Sequence, residues 1–487
     1  MNNNQHKAGR GFAGSIGFLL SAIGSAVGLG NIWGFPYKMG KSGGFTFLLL
    51  YLALALLVGI PLLIAELSIG RKTGHGPLEA LRTFCSKFKW LGWLGTVIPF
   101  LIMTFYSVLG GYCIYYVFIN IKGIFGTMPA GGASFEALLT NPLISIGVMV
   151  LFMLICFVIN RGGVSAGVER FNKIGMPALA VMLVIVIVRA LTLPNAVEGL
   201  KFMFVPGYAV KGGFIEEAPS LLSVLATAGG QMFFSLSLAM GIMVAYGSYI
   251  KKDQDIPKSA ITIAAADTLI ALMAGIAVIP AAVANGIAQG VPVSSIKLSG
   301  PNLLFVTLQD VFSGMGTIGG IFGLIFFLLV LIAAISSAIS LIEAISITFI
   351  DRGHAKGKDD ARPRIILITC LLITVVSCLV AADGLGSNKI APYNLLGMSA
   401  PSATWNDCWL DLMDMLSEGV MMPVCALFTA LMIGIERKSK ELREEFRLGS
   451  KMKIDGIWDF CIKFLTPVAM VFILLVQLSD FFGFGWF

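Results

Sequence analysis

Two stretches of this 487-residue chain set hard oxygen donors among residues that break helices. "GSAVGLGNIWGFPY", Gly24 to Tyr37, carries Gly24, Gly28 and Gly30 inside an apolar run and follows them with Asn31. "GGQMFFSLSLAMGIM", Gly229 to Met243, places hydroxyls at Ser235 and Ser237 ahead of the small-large-small run Ala239, Met240, Gly241. Glycine relieves the steric limits on backbone angles, and an opened helix frees carbonyls, here around Ile23 to Val27. Such carbonyls, an amide oxygen and hydroxyls are what a hard cation takes as ligands, while the N-terminus of a half-helix favours an anionic group. The chemistry on offer is therefore binding of a cation and an anion side by side. Glu, Asp and Ser residues are otherwise scattered and form no convergent acid, base and nucleophile set, so an enzyme is not expected. His6, His75 and His354 lie in polar segments and the eight cysteines contain no C-x-x-C, which argues against a metal cluster or a disulfide framework.

These residues must be positioned by a membrane bundle. The chain is 57% hydrophobic and 13% charged, with a mean hydropathy of +0.89, far from the usage of soluble domains. Apolar runs long enough to cross the hydrocarbon recur eleven times: Phe12–Met39, Phe45–Gly70, Trp90–Ile121, Pro142–Ile159, Gly167–Leu191, Pro219–Ile250, Ile256–Ala284, Gly316–Ile350, Ile365–Ala382, Trp409–Ile435 and Ile457–Phe482. Loops on the N-terminal side hold most of the Lys and Arg, including Arg71, Lys72, Lys251, Lys252, Arg352 and the run from Arg437 to Lys453. The positive-inside rule then predicts a cytoplasmic N-terminus and an extracytoplasmic C-terminus in the cytoplasmic (inner) membrane. The net charge of +7 follows from that topology; the lipid bilayer is the expected partner and nucleic acid is not.

A helix opened toward lipid would strand its backbone groups, so a break at membrane depth implies a cavity. One break alone has a plain structural reading, because Gly24 and Gly28 also form a small-xxx-small packing pattern. Two breaks in corresponding spans, the first and the sixth, point instead to the midplane site of a transporter built from inverted repeats.

The same residues carry a resemblance. "GSAVGLGNIWGFPY", "GIPLLIAELSIGR" (Gly59 to Arg71), "GGQMFFSLSL", "YGSYIKKDQDI" (Tyr246 to Ile256), "ISSAISLIE" (Ile335 to Glu343) and "LDLMD" (Leu410 to Asp414) resemble the neurotransmitter:sodium symporter family, specifically its bacterial eleven-span amino-acid transporters. The resemblance implies an all-α integral membrane fold, a five-plus-five inverted repeat with interrupted helices 1 and 6. Residues 1–11 would form a cytoplasmic N-terminal segment, 12–191 and 219–435 the two repeats, 436–456 a cytoplasmic loop and 457–482 the eleventh helix. It further implies sodium-coupled symport of an amino acid by alternating access; a sensor on the same scaffold would share the binding residues and differ only in turnover. Oligomeric state is not indicated.

By resemblance, one sodium site would use Ala26, Asn31, Ser235 and Asp267 with the carboxylate of the substrate. A second would use the carbonyls of Gly24, Val27 and Ala333 with the hydroxyls of Ser336 and Ser337, giving two Na⁺ and no organic cofactor. The serines also admit a reading as hydroxyls bonded back to their own helix. The substrate would meet Ala26, Gly28, Gly30, Ile102, Tyr106, Phe234, Ser235, Ser237, Met240, Ser340 and Leu341, with Tyr106 donating to its carboxylate and Phe234 closing over it. Gly28 stands where monoamine transporters of the family place an aspartate, so an α-amino acid is expected, and the adaptable Met240 beside Ala239 and Gly241 suits a hydrophobic or aromatic one.

Several positions depart from the family pattern. The outer-gate Arg is replaced by Gly34, so Lys38, one turn outward, is expected to serve Asp414. Asp267 stands where an asparagine is common and Ala271 where chloride-dependent relatives place a serine, which predicts chloride-independent transport. At the inner gate Arg10, or Lys7, is expected to reach Asp351, with Tyr249 completing the closure. Glu66 is expected to cap freed N–H groups and Glu343 to be a protonated, hydrogen-bonded acid. Asn285 to Phe312 reads either as an inward-folded lid or as a surface helix, and Glu436 to Lys453 as a solvated or headgroup-facing helix.

Overall fold

The computed structural model describes residues 12, 14–296, 298, 300–355, 362–396 and 407–486; Arg10 and the rest of the 1–11 segment lie outside them. All regular structure among the described residues is helical. Among the described residues nine helices are long and apolar enough to cross a membrane unbroken: Phe45–Thr73, Ser86–Phe125, Pro142–Arg161, Val164–Leu191, Ile256–Ala288, Ile318–His354, Arg362–Asp383, Trp409–Ile435 and Asp455–Phe482. The broken first span makes a tenth, and the sixth is divided into a shorter apolar helix and a second piece.

The first span is Ser15–Ala26 followed by Gly30–Lys41, bent by 46°. Val27 leaves the helix in extended geometry, with φ −78° and ψ 102°. The sixth is Leu221–Ser235 followed by the short Ile242–Gly247, and the chain between them takes positive φ at Ser237, Ala239 and Gly241. Left-handed backbone at a residue other than glycine costs about 1–3 kcal/mol and persists only when its surroundings hold it. Here they do: Glu66 Oε1 accepts the Ala239 N–H at 2.7 Å, the capping that the sequence predicts, and Ser237 Oγ donates to the Ser25 carbonyl at 3.0 Å. At Gly241 a Cβ would stand 2.4 Å from the Gly95 carbonyl oxygen, so only glycine fits.

Spans 3 and 8 pack extensively on each other, and the halves of spans 1 and 6 lie against spans 2, 5, 7 and 8. Apolar side chains such as Val181, Val184 and Val188 on span 5 and Leu371, Leu372 and Val375 on span 9 are exposed on the outside of the bundle. That is the surface hydrocarbon covers, whereas the broken helices are kept from it.

Of the two readings of Asn285 to Phe312, the structure takes the inward one. Leu303–Thr307 and Leu308–Ser313 form a helical lid that buries Leu304, Phe305, Leu308 and Gln309, and the Trp33 indole donates to the Gly300 carbonyl at 3.2 Å. The solvated reading of Glu436 to Lys453 is corrected. Its helix, Ser439–Arg447, buries Leu442, Glu445 and Phe446, because Leu442 and Phe446 are one turn apart on a single face and Phe446 packs edge-on to Trp458 at 5.2 Å.

Candidate functional site

Where the two breaks meet, a narrow pocket of about 280 Å³, part of it open to its surroundings, is lined by Ser25, Ala26, Gly28, Gly30, Ile102, Tyr106, Phe234, Ser237, Met240, Ile242, Ser337 and Leu341. The opened first span forms one wall, span 3 supplies Ile102 and Tyr106, and span 8 supplies Ser337 and Leu341. Tyr106 and Phe234 stand with ring centroids 6.3 Å apart. The Tyr106 hydroxyl accepts from the Leu29 N–H at 3.1 Å, which leaves its own proton to donate. The Ser25 carbonyl accepts from both Ser237 Oγ, at 3.0 Å, and Ser337 Oγ, at 2.9 Å, joining both breaks to span 8.

Beside this cavity lies Asp267, completely buried. Its carboxylate accepts from Asn31 Nδ2 at 2.6 Å, Tyr51 Oη at 3.1 Å and Ser235 Oγ at 2.9 and 2.8 Å, and no basic side chain pairs with it among the described residues. A buried carboxylate without a compensating charge is costly. A monovalent cation beside Asp267 and Ser235 would supply that charge, and these hard oxygens fit Na⁺. Asn31 Oδ1 takes the Gly28 N–H at 2.9 Å in this arrangement; turning the amide over would present that oxygen to the cation instead.

The second donor set is gathered where spans 1 and 8 touch. Ser336 Oγ donates to the Ala333 carbonyl at 2.8 Å and the Val27 carbonyl at 3.2 Å, and Ser337 Oγ lies 3.5 Å from the latter. These are oxygens alone, as a hard cation requires. Gly24 is the member held differently: its Cα packs on Asn172, whose Oδ1 would sit 2.1 Å from an added Cβ.

The model of the sodium:neurotransmitter symporter family matches residues 10–126 and 138–485. The chain belongs to that family. It is 32% identical over 95% of its length to YhdH of Bacillus subtilis, an uncharacterized sodium-dependent transporter, of which it covers 96%. It is 28% identical, over 96% of its length and 90% of the relative's, to the sodium-dependent transporter MJ1319 of Methanocaldococcus jannaschii. Among solved structures, MhsT in complex with L-phenylalanine superposes with a TM-score of 0.81 at 34% identity, covering 96% of this chain and 99% of that one. Members of this symporter family are transporters and not enzymes, and the chain shares their multi-pass fold and sodium dependence.

Against the family pattern, the structure corrects several placements read from the sequence. Ser340 does not face the cavity: its hydroxyl bonds Tyr246 Oη at 2.7 Å and donates to the Ser336 carbonyl at 2.9 Å. Ser235 is likewise drawn off the wall to Asp267. Lys38 pairs with Glu418 and not with Asp414. Glu418 lies one turn beyond Asp414 on the same face, and the i,i+4 repeat of carboxylates was the signal for it. Both acids line an outer vestibule of about 970 Å³, part of it open to solvent, together with Trp33, Tyr37 and Lys41.

At the other end Tyr249 Oη donates to Glu343 Oε1 at 2.6 Å and not to Asp351, and Arg362 pairs with Glu343. Glu343 therefore faces a basic partner, Arg362, as well as the Tyr249 hydroxyl. Asp351 instead accepts the Gly76 N–H at 2.7 Å. Phe12, which the sequence did not single out, is buried and stands edge-on to Phe18, Tyr246 and Tyr249 at 5.4–6.0 Å between centroids. It packs between the start of span 1 and the end of span 6.

Proposed function

We propose that this chain carries a hydrophobic or aromatic α-amino acid inward by symport with two Na⁺, without chloride, its N-terminus in the cytoplasm. One observation carries the substrate assignment: a single pocket pairs the Tyr106 hydroxyl, at the opened first span, with an apolar wall of Ile102, Phe234, Met240 and Leu341. The hydroxyl and the half-helix N-terminus suit a carboxylate. The wall suits an apolar side chain. The complex of MhsT with L-phenylalanine supports the same class.

Asp267 supplies the negative charge that bound chloride would otherwise bring beside the first sodium site; its burial without a basic partner supports this. The residues of that site are Ala26, Asn31, Ser235 and Asp267 together with the substrate carboxylate, and those of the second are Gly24, Val27, Ala333, Ser336 and Ser337. At 100 mV two Na⁺ release about 4.6 kcal/mol, and a tenfold gradient adds about 1.4 kcal/mol for each. That sum, roughly 7 kcal/mol, sustains an approximately 10⁵-fold accumulation of a zwitterion. Coupling arises because the substrate carboxylate completes a sodium site, so each ligand raises the affinity for the other.

The test is uptake of a panel of labelled amino acids into proteoliposomes, with external Na⁺ exchanged for K⁺ and chloride for gluconate. Concentrative uptake of an aromatic or aliphatic amino acid that needs Na⁺ but not chloride is expected. Sodium-dependent binding without uptake would mean a sensor, and a strict chloride requirement would remove the role given to Asp267.

A further inference from the structure

One recess of the bundle belongs neither to the transport path nor to the vestibule. A shallow recess of about 320 Å³, much of it open to the surroundings, lies between the end of span 5, span 7, the lid helix and the start of span 8. Ala190, Ala277, Ala281, Phe312, Phe322 and Phe326 make it apolar, and a single charged side chain, Arg189, stands among them. Arg189 is half-buried. Its Nε lies 3.0 Å from the Met315 sulfur and its Nη1 donates to Thr192 Oγ1 at 3.0 Å. No carboxylate lies within ion-pair distance of it among the described residues. A thioether is a weak acceptor and guanidinium has five N–H donors, so much of its capacity is unused.

A basic residue in the last turn of a helix is favoured by the helix dipole, which explains a cation at this position. It does not explain an apolar recess beside that cation. The neighbouring surface faces hydrocarbon, since Ile185, Val188, Ile318 and Ile321 are 40–62% exposed. A guanidinium at the rim of an apolar slot that opens toward lipid matches one ligand class in both its parts.

We propose that this recess binds an anionic membrane phospholipid, its phosphate on Arg189 and the upper part of one acyl chain over the half-exposed Leu193, Met315 and Phe322 at its mouth. Free phosphate would leave the wall unused, and a neutral hydrocarbon would leave the guanidinium unused. Because Leu308, Val311 and Phe312 of the lid form one side, a seated lipid braces the lid from behind. The binding does not depend on which amino acid is carried.

The experiment is native mass spectrometry and thermal unfolding of the purified full chain after delipidation, with phosphatidylglycerol, phosphatidylcholine or inorganic phosphate added back. The wild type is expected to retain one phosphatidylglycerol at least tenfold more tightly than phosphatidylcholine and to gain thermal stability from it. Arg189→Gln is expected to lose that preference, Arg189→Lys to keep part of it, and Ala281→Leu, which fills the slot, to lose tight retention with the charge intact. Equal phosphatidylglycerol retention by Arg189→Gln, or by Ala281→Leu, would overturn the proposal. So would a stability gain from inorganic phosphate matching that from the lipid, which would mean an anion site only.

Discussion

Removal of Lys38 should open the outer side of the bundle. Lys38 and Glu418 form an ion pair whose side chains are 13% and 11% exposed, intermediate between a buried pair and a surface one. Breaking a fully buried pair by deleting one partner costs about 3–5 kcal/mol, and an exposed pair is worth about 0.2–1 kcal/mol. Facing a water-filled vestibule, this pair should contribute about 1–2 kcal/mol, or a factor of roughly 5–30 in the balance between closed and open states. The readout is the rate at which a bound, labelled amino acid escapes to the outer buffer in Na⁺. Lys38→Ala and Glu418→Gln should each raise it by about that factor, and the double variant should raise it little further, since both remove one contact. Asp414→Asn should change it by less than about threefold. Installing the family's Arg at position 34 should not rescue Lys38→Ala: a Cβ there would stand 3.0 Å from Gln231 Oε1, and Gln231 donates to the Gly30 carbonyl at 2.7 Å, so the larger side chain displaces a support of the break. If Asp414→Asn speeds escape as much as Lys38→Ala while Glu418→Gln leaves it unchanged, the assignment of Glu418 as the partner fails.

Asp267→Asn should make uptake respond to chloride or raise the Na⁺ concentration needed for half-maximal uptake; unchanged kinetics in both chloride and gluconate would contradict the charge argument. Gly28→Ala should weaken amino-acid binding by roughly 5- to 150-fold, the effect of about 1–3 kcal/mol of overpacking, because the new Cβ would meet Ser337 Oγ at 2.3 Å and Tyr106 Oη at 2.7 Å; equilibrium binding in Na⁺ measures it. In the loop between spans 10 and 11 Glu445 accepts from Arg71 Nε at 2.8 Å and Lys252 Nζ at 2.7 Å, tying the loop helix to spans 2 and 6. Glu445→Gln should lower the unfolding temperature more than Lys252→Gln, since the Arg71 side chain is 1% exposed and that of Lys252 is 60% exposed; the reverse order would refute the clasp. Glu198, in the helix Ala196–Phe204 between spans 5 and 6, is held below the ordinary carboxylate range by hydrogen bonds from Lys201 and then Tyr208. Its small stabilisation is present above about pH 4.3 and lost as the pH falls through the folded value, so Glu198→Gln should flatten that acid limb in a melting-temperature series.

Much of the fold and part of the site were legible because their causes are local. A span needs only length and apolar composition, so eleven could be read one at a time. A break needs residues that tolerate opened backbone, and Gly24, Gly28, Gly30 and Gly241 mark both. Glu66 was legible as a cap because freed N–H groups inside a membrane must find an acceptor. Burial of Glu445 was missed because a helix with so many charges reads as solvated, although Leu442 and Phe446 give it an apolar stripe.

Partner choice was not local. Asp414 and Glu418 lie a turn apart on one helix face, and sequence alone does not say which of them Lys38 reaches. The 46° bend of span 1 and the space at Gly230, where a Cβ would stand 2.8 Å from Glu418 Oε1, decide for Glu418. Likewise the rotation of span 8 turns Ser340 toward Tyr246 and gives Glu343 to Tyr249 and Arg362, and only the meeting of spans 1 and 6 gives Phe12 its aromatic neighbours. What the sequence by itself determined is where the chain crosses the membrane, where it opens and which oxygens are at hand. The tertiary structure alone decided which of those groups face one another, because a helix presents several side chains on each face and its tilt and rotation are set by the packing of all its neighbours.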